Sequence, residues 1–276
     1  YEKICERLLC EMVYRILSEY TGRRPKWGIM TGIRPVKNLH WDEEQGITAA
    51  ETDRRFAEDY LVSEDKIKLC HMIYDLQKPI IKASRKNSVS LYVSIPFCPS
   101  RCSYCSFVSR TTAESGSLIE PYVQALCREL AEISALARRN RLRLETIYIG
   151  GGTPTTLTAE QLERLMSWID EKFSREYLLE YTVEAGRPDS ITEEKLKVIK
   201  NHDITRISIN PQSMQQKTLD VIGRKHTVEE IKEAYALARK TGFDNINMDI
   251  IAGLPGEDIS DMEDTLAQIA QMHPDS

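Results

Sequence analysis

Two patterns of apolar and polar positions divide this chain. From residue 90 onward, short runs of β-branched and aromatic residues alternate with longer stretches in which apolar residues recur at helical spacing. The short runs are apolar on both faces, which is typical of parallel strands covered by helices. The pattern predicts strands at residues 91–95, 146–150, 181–185, 206–210 and 245–253. A strand–helix alternation repeated in this way favours a parallel α/β sheet or barrel.

Signals for helix starts support the alternation. A Ser or Thr followed three residues later by Glu or Gln fits the capping box. Such pairs occur at Ser117–Glu120, Thr158–Gln161, Thr227–Glu230 and Ser260–Glu263. The last helix is expected to end near Met272, and a sixth strand would come next. We therefore expect a domain cut before its last strand, with strand 245–253 at an unpaired edge of the sheet.

The first 88 residues show no strand alternation. Helical spacing predicts helices at residues 1–20, 56–62 and 64–83, the last of them capped by Ser63. Residues 21–40 are rich in Gly, Pro and Arg and are expected to form a loop. The chain is long enough for two domains. We expect a helical N-terminal extension at 1–88 and an α/β domain, incomplete at its C-terminus, at 89–276.

Composition narrows the class of protein. The chain has 276 residues, 41% hydrophobic and 29% charged, with a net charge of −5. It therefore lacks the basic field that would hold nucleic acid. No apolar run approaches the roughly 20 residues of a membrane span. The charged N-terminal segment is not a signal peptide, and a start at Tyr1 rather than Met indicates trimming. Seven cysteines, an odd number, predict a reducing cytoplasm with some thiols bound to metal.

Three cysteines lie together in the segment IPFCPSRCSYCSF. Cys98, Cys102 and Cys105 form a C-x3-C-x2-C arrangement with no fourth cysteine close by. A four-iron cluster needs one ligand per iron, usually a thiolate, so three cysteines leave one iron open. A ferredoxin-type or zinc site would each need a fourth ligand. His202 and His226 are remote in sequence, although the fold could bring them close.

Polar residues stand at or near the C-terminal ends of the predicted strands. The glycines of IYIGGGTPT end one strand, lack the ending of a phosphate loop and permit close approach of a ligand. Glu184, Gln212 and Asp249 lie near the ends of three others. A buried charge is costly unless paired, and an ion pair between Glu184 and Arg187 is the structural alternative. Parallel β/α barrels bind ligands at this edge, so the pattern predicts a ligand site there.

Other candidate residues lie outside the predicted strands. Tyr104, between the last two cysteines, could shield a cluster or stack on a ligand. Arg224 lies on a predicted loop and is either a ligand contact or a solvated surface residue. Cys5, Cys10 and Cys70 fall on predicted helices and are expected to be small buried apolar residues.

These motifs together resemble the radical S-adenosylmethionine (SAM) superfamily, whose signature is C-x3-C-x2-C with a glycine motif after the second strand. The segments YVSIPFCPSRCSYC, GGGTPT, QSM and DIIAGLPGE are similar to the oxygen-independent coproporphyrinogen III oxidases, also called coproporphyrinogen dehydrogenases. WGIMTGIRPVK resembles one branch of that group, which carries a helical N-terminal extension. The resemblance implies a partial (β/α)6 radical-SAM barrel, here truncated before its last strand.

The resemblance also implies roles for individual residues. Cys98, Cys102 and Cys105 would hold a [4Fe–4S] cluster, whose open iron would bind the amino and carboxylate groups of SAM. The SAM contacts, by motif position, would be Tyr92 and Tyr104 beside the cofactor, Gly151, Gly152, Thr153 and Glu184 at its methionine end, Arg224 at its carboxylate, and Gln212 and Asp249 at the ribose hydroxyls.

The implied activity is an oxidation in haem and porphyrin biosynthesis. Ferredoxin or flavodoxin would reduce the cluster, and SAM would split into methionine and a 5′-deoxyadenosyl radical. The radical would remove hydrogen from a propionate of coproporphyrinogen III, and loss of CO2 and an electron would leave a vinyl group. Phe107 stands where established dehydrogenases carry a further cysteine. Two alternatives therefore stay open: a haem chaperone that binds cluster and SAM without dehydrogenase activity, and a radical SAM enzyme with another substrate.

Overall fold

The computed structural model of the protein describes residues 2–30, 32 and 34–276. The chain divides into two compact units, one ending at Lys86 and the other spanning Asn87–Ser276. Tyr1, where the predicted first helix begins, lies outside the described residues. The roles expected for the two domains stay predictions.

The N-terminal unit is helical. Its α-helices are α1 (Glu2–Thr21), α2 (Lys37–Glu44), α3 (Ala49–Arg54) and α4 (Glu64–Ala83). Helix α4 confirms the prediction for 64–83. The predicted loop at 21–40 is wrong at its end, because α2 begins at Lys37. The helix predicted at 56–62 is instead a π-helical turn, Arg55–Asp59, that continues α3.

The cap predicted for α4 forms differently. Ser63 stands at the N-cap position, but its hydroxyl makes no capping bond to the helix backbone. It donates instead to the carboxylate of Asp65. Helix α4 therefore begins without a side-chain cap, and the hydroxyl is bound to a carboxylate of the first turn.

Burial in the N-terminal unit corrects two cysteine predictions. A small core joins Val36, Leu39, Phe56, Val62, Ile67 and Cys70. Cys70 is buried as expected, whereas Cys5 and Cys10 are exposed. Among the α1 residues whose burial the structure describes, only Tyr14 is buried. Both exposed cysteines lie on this largely uncovered helix, so their helical spacing did not translate into burial.

The second unit is built on a parallel sheet. Its strands are β1 (Ser88–Ile95), β2 (Phe97–Cys98), β3 (Arg110–Thr111), β4 (Arg143–Gly151), β5 (Glu180–Glu184), β6 (Arg206–Ser208) and β7 (Ile246–Asn247). Five of them form one sheet in the order β1-β4-β5-β6-β7, with every neighbouring pair parallel. The short β2 and β3 pair separately. This arrangement confirms the predicted α/β class and agrees with a partial barrel.

Helices connect the strands. They are α5 (Thr112–Ser115), α6 (Ile119–Arg139), α7 (Ala159–Lys172), α8 (Glu193–Asn201), α9 (Gln216–Val221), α10 (Val228–Thr241) and α11 (Ile259–Met272). The end of α11 confirms the prediction for the last helix. None of the described helices is long and apolar enough to span a membrane.

Two of the predicted capping boxes form and two do not. Thr158 and Thr227 cap α7 and α10 with the expected reciprocal bonds. Ser117 instead lies within a 3-10 turn, Gly116–Leu118, and α6 begins after it. Ser260 lies inside α11, which Asp258 caps by accepting from the backbone N–H groups of Ser260 and Asp261.

The last strand is much shorter than predicted. Of residues 245–253, only Ile246–Asn247 form β7, followed by an isolated bridge between Gln212 and Ile250. The outer edge of β7 is not unpaired. The amide of Asp275 donates to the Ile246 carbonyl at 3.0 Å, and the amide of Met248 donates to the Ser276 carbonyl at 2.8 Å. The C-terminal residues thus satisfy backbone groups that the sequence alone left exposed.

The core of this unit lies between the sheet and its helices. Ile149 and Val183 of the sheet are fully buried, as are Leu162 and Leu165 of α7, and all four belong to one apolar cluster. Burial of a side chain of this size contributes roughly 1.5–3 kcal/mol. The sheet is therefore a firm support, and the carboxyl ends of its parallel strands hold the residues that follow them along one edge.

Candidate functional site

A cavity of about 170 Å³ lies among the residues that follow the strands. The predicted site residues that line it are Cys98, Cys102, Tyr104, Cys105, Gly151, Gly152, Thr153, Glu184, Gln212, Arg224 and Asp249. Tyr92 is the predicted residue that does not line it. Its side chain lies on β1, is 55% exposed and stacks on Tyr148 with ring centroids 5.7 Å apart. The fold thus collects residues spread over about 150 positions of sequence, while their roles as ligands stay predictions.

The cysteine loop is held by backbone contacts. Cys98 ends β2, and a turn joins Cys102 to Cys105 through a bond of 3.1 Å from the Cys105 amide to the Cys102 carbonyl. The amide of Ser103 donates to the Ile222 carbonyl at 3.0 Å, beside the end of α9. All three thiols are free and partly buried. The loop therefore presents three unpaired thiols from a backbone fixed at both ends.

Two of the sulfurs lie beside hydrogen-bond donors. The Thr153 hydroxyl lies 3.5 Å from Cys98 Sγ, and Nη1 of Arg187 lies 3.5 Å from Cys102 Sγ. Hydrogen-bond donors of this kind commonly accompany sulfurs that ligate a metal cluster. Among the residues that the structure describes, no three His, Cys, Asp or Glu side chains surround one metal-ion position. A four-iron cluster takes each thiolate on a different iron, so the donor chemistry of this loop suits such a cluster.

The glycine turn after β4 packs against the cysteine loop. Gly151 adopts φ = +103°, which favours glycine. A Cβ on Gly152 would lie 2.7 Å from the Phe97 carbonyl oxygen and 3.0 Å from Cys98 Sγ. The Gly152 amide also donates to the Ile95 carbonyl at 2.8 Å. The close approach that the glycines permit is therefore made, in this structure, by the protein's own cysteine loop.

Glu184 is a partly buried carboxylate with neutral partners. It accepts hydrogen bonds from the Tyr148 hydroxyl and from the Gly151 amide. Burial raises the pKa of Glu184, and the bond from Tyr148 offsets part of that rise. The alternative ion pair with Arg187 is wrong, because Arg187 binds Asp189 at 3.0 Å. The described residues thus give Glu184 hydrogen-bond donors but no cation, and a ligand cation would complete its surroundings.

Arg224 is buried, which contradicts the surface alternative. Its side chain is 6% exposed, Nη1 donates to the Asn210 carbonyl, and Nη2 lies 3.5 Å from the Tyr104 hydroxyl. Nε has no partner among the described residues, and no carboxylate there forms an ion pair with this guanidinium. Burial raises the pKa of Tyr104 to about 12, so its hydroxyl is neutral. The site therefore contains a buried cation that an anionic ligand group would neutralise.

Gln212 and Asp249 meet at the end of the sheet. The Gln212 amide donates to the Asp249 carbonyl at 3.0 Å, and the Ile251 amide donates to the Gln212 carbonyl at 2.9 Å. The carboxylate of Asp249 is exposed and accepts from Asn247 at 2.9 Å. This backbone pairing places a neutral and an acidic side chain next to each other on the cavity wall.

Several cavity residues were not predicted from sequence as ligand contacts. Arg187, Asn210, Ser100 and Gly186 line the cavity, and so does Phe107, which is 60% exposed. Arg187 and Asn210 follow β5 and β6 within three residues, and Gln212 follows β6 by four. Applying the strand-end criterion to every polar residue, not only to charges inside the strands, would have found both of them.

Comparisons with known proteins identify the family of the chain. A family model of the radical SAM superfamily matches residues 92–269. The chain is 42% identical, over 95% of its length, to the oxygen-independent coproporphyrinogen-III oxidase-like protein HemZ of Bacillus subtilis, of which it covers 53%. It is 37% identical, over 64% of its length, to the heme chaperone HemW of Bacillus subtilis, of which it covers 46%. The chain thus spans about half the length of these relatives.

A solved structure gives the same result for the fold. The coproporphyrinogen III oxidase HemN from Escherichia coli, described as a radical SAM enzyme, matches 72% of this chain and 45% of its own. The TM-score is 0.61 and the sequence identity 28%. Members of this superfamily bind a [4Fe–4S] cluster and SAM. By its family match and its relatives, the chain belongs to the radical SAM superfamily.

Proposed function

We propose that the protein oxidatively decarboxylates propionates of coproporphyrinogen III to vinyl groups in haem biosynthesis, using a radical generated from SAM. The observation that carries the proposal is the similarity to HemZ over 95% of the chain. A match of that extent takes in most of the N-terminal unit as well as the cavity. Similarity to HemN over 72% of the chain supports the same chemistry. Because fold does not determine substrate, the substrate rests on these relatives and on the experiment below.

Cys98, Cys102 and Cys105 are the proposed cluster ligands. When bound, cluster and SAM supply a hydrogen-abstracting radical on one-electron reduction, for which ferredoxin or flavodoxin is the proposed donor. The protein's own part would be to fix three thiolates and to leave the fourth ligand position open to SAM. Each propionate then loses one hydrogen atom, one CO2 and one electron, the last to a one-electron acceptor.

Glu184 and Arg224 are the proposed contacts for the methionine end of SAM. That end carries an ammonium and a carboxylate. The Glu184 carboxylate and the Arg224 guanidinium both line the cavity, and neither forms an ion pair among the described residues. Binding would pair both charges at once, which compensates the cost of keeping each of them partly or fully buried. Gly151, Gly152 and Thr153 would contact the same end from the turn after β4.

We assign the nucleoside end of SAM to Gln212 and Asp249. These two residues are adjacent, and an acidic residue commonly accepts hydrogen bonds from ribose hydroxyls. Tyr104 would flank the cofactor from the cysteine loop. We also assign Tyr92 to the surroundings of the cofactor, because its ring stacks on Tyr148, and Tyr148 donates a hydrogen bond to Glu184.

A haem chaperone is the second candidate function. Two observations favour it, namely the 37% identity to HemW and the presence of Phe107 at the cavity. The share of the chain that each relative matches favours the oxidase instead. HemW matches 64% of the chain and HemZ matches 95%, so HemZ accounts for more of this sequence. We therefore rank the oxidase first.

The deciding experiment separates these functions in one reaction. The protein, with its cluster rebuilt anaerobically, receives SAM, a reductant and coproporphyrinogen III, and 5′-deoxyadenosine and porphyrin products are followed by mass. We expect deoxyadenosine together with the doubly decarboxylated product. Deoxyadenosine without that product would indicate another substrate. Neither product, with stable haem binding, would indicate the chaperone.

A pair of cysteine variants provides the control. Cys102→Ala should lose the cluster and both products, since it removes a proposed ligand. Cys5→Ala changes an exposed thiol in the N-terminal unit and should keep both. Full iron content and an unchanged visible spectrum in Cys102→Ala would contradict the assigned ligands.

A further inference from the structure

Arg187 is a buried guanidinium at the end of β5. The residue is 3% exposed. Its Nε and Nη2 donate to the two carboxylate oxygens of Asp189 at 3.1 and 3.0 Å. Two parallel bonds of this kind fix the plane of the guanidinium. The charge of Arg187 is therefore matched within the protein, whereas that of Arg224 is not matched by any described carboxylate.

The other edge of the guanidinium contacts the cysteine loop. Nη2 donates to the Ser100 hydroxyl at 2.9 Å, and Nη1 lies 3.3 Å from the Ser100 carbonyl oxygen and 3.5 Å from Cys102 Sγ. The Ser100 hydroxyl donates onward to the Gly223 carbonyl at 2.9 Å. One side chain thus connects the segment between Cys98 and Cys102 to the sheet.

A buried histidine lies close to Asp189, beyond hydrogen-bond distance. His226 is 1% exposed, and its Nδ1 lies 3.7 Å from a carboxylate oxygen of Asp189. Burial alone would raise the pKa of Asp189, but interactions with His226 and Arg187 hold it well below its usual range. The carboxylate therefore stays ionised and keeps the guanidinium in its orientation.

We propose that Arg187 is a positioning residue for the iron–sulfur cluster, which holds the Cys98–Cys102 segment in place and donates an N–H hydrogen bond to the Cys102 sulfur. The inference rests on the proposed ligation of the cluster by the three cysteines. Hydrogen bonds to ligating sulfurs stabilise the more negative, reduced cluster and so raise its reduction potential. Asp189 acts through Arg187 by fixing the direction of that donor.

The test measures the cluster itself. Arg187→Ala and Arg187→Lys are compared with the wild-type protein after anaerobic reconstitution, by iron and sulfide content and by a redox titration followed by EPR. Arg175→Lys is the matched control, because Arg175 also pairs with carboxylates, those of Asp170 and Asp203, but does not line the cavity. The potential is the readout that a merely structural role would leave unchanged.

We expect the cluster of Arg187→Ala to have a more negative midpoint potential and a lower iron content than wild type. Arg187→Lys retains a charge but not the planar fork, so its potential should fall between the two. Arg175→Lys should have the wild-type potential. If Arg187→Ala fails to fold, the comparison of Arg187→Lys with Arg175→Lys decides the question.

Three results would overturn the inference in distinguishable ways. A wild-type potential in every folded Arg187 variant would remove the role of Arg187 and leave the cluster ligands in place. A wild-type protein that takes up no four-iron cluster would overturn the proposed ligation and this inference with it. Partial loss of the cluster, with a wild-type potential for the fraction that stays bound, would reduce Arg187 to a structural support. That result would contradict the proposed hydrogen bond.

Discussion

Replacing Gly152 with Ala tests how tightly the glycine turn and the cysteine loop fit. The added methyl would lie 2.7 Å from the Phe97 carbonyl oxygen, 2.9 Å from the Ile95 carbonyl oxygen and 3.0 Å from Cys98 Sγ. Both carbonyl oxygens are held in place, because they accept from the amides of Thr153 and Gly152 at 2.8 Å. Backbone therefore has to move, and Cys98 moves with it.

The magnitude follows from the cost of overpacking. Inserting a methyl group into a filled site costs about 1–3 kcal/mol. For a unit the size of residues 87–276, each kcal/mol lowers Tm by roughly 2–4 °C. We expect Gly152→Ala to show a lower Tm and to bind less iron after reconstitution, since displacement of Cys98 removes a ligand from its position.

Gly116→Ala is the matched control for this experiment. The same methyl at Gly116 would have no atom within 4 Å, and the backbone there has φ = −58°. Thermal unfolding followed by circular dichroism should give Gly116→Ala a Tm at or above that of wild type. Iron analysis should give it an iron content at or above that of wild type. If Gly152→Ala matched Gly116→Ala in both measurements, the packing that we describe between turn and loop would be refuted.

Three further predictions follow from the same structure. Thr158→Ala should lower the free energy of unfolding by about 0.5–2 kcal/mol by removing a helix cap, whereas Ser117→Ala should change little, as denaturant titrations would show. Tyr148→Phe should raise the pKa of Glu184 further, because the lost bond lowers that pKa. As the pH falls, the carboxylate of the variant is then protonated at a higher pH than that of wild type, and SAM binding should be lost at that higher pH. Identical calorimetric pH profiles for the two proteins would contradict this. Arg224→Ala should weaken SAM binding by roughly 10- to 100-fold, the loss of one charge-assisted pair, with unchanged iron content. An unaltered dissociation constant would exclude that pair.

The sheet could be predicted from the sequence because its strands are short runs rich in β-branched and aromatic residues. In the run Leu91–Ile95, Leu91, Val93 and Ile95 are buried while Tyr92 is exposed, a period of two that amphipathic helices do not share. The last strand was overestimated for the same reason. Residues beyond Asn247 remain apolar but turn away after two paired residues, and apolarity does not specify where backbone pairing stops.

Helix starts could be predicted only where no neighbouring turn or capping residue moved the start of the helix. Thr158 and Ser117 carry the same local signal, yet Ser117 lies in a 3-10 turn that delays α6. At α11 the stronger cap, Asp258, precedes the serine that fits the same pattern. A cap motif states which bonds are available, and the surrounding chain decides which of them form.

The sequence could predict which residues lie together at the site, but not which of them interact with one another. A parallel sheet brings its strand ends together, so Glu184, Gln212 and Asp249 could be grouped before any coordinates. The choice of Asp189 rather than Glu184 as the partner of Arg187 depends on the turn after β5, which no spacing rule specifies. The burial of Arg224 depends in the same way on a carbonyl fourteen residues earlier.

In our proposal, three thiolates at this cavity hold a four-iron cluster whose open iron binds SAM. This is tested by the EPR spectrum of the reduced, reconstituted protein before and after addition of SAM. We expect a four-iron signal that changes shape when SAM is added and that is absent from Cys102→Ala. A four-iron signal that SAM leaves unaltered, or one that persists in Cys102→Ala, would contradict it.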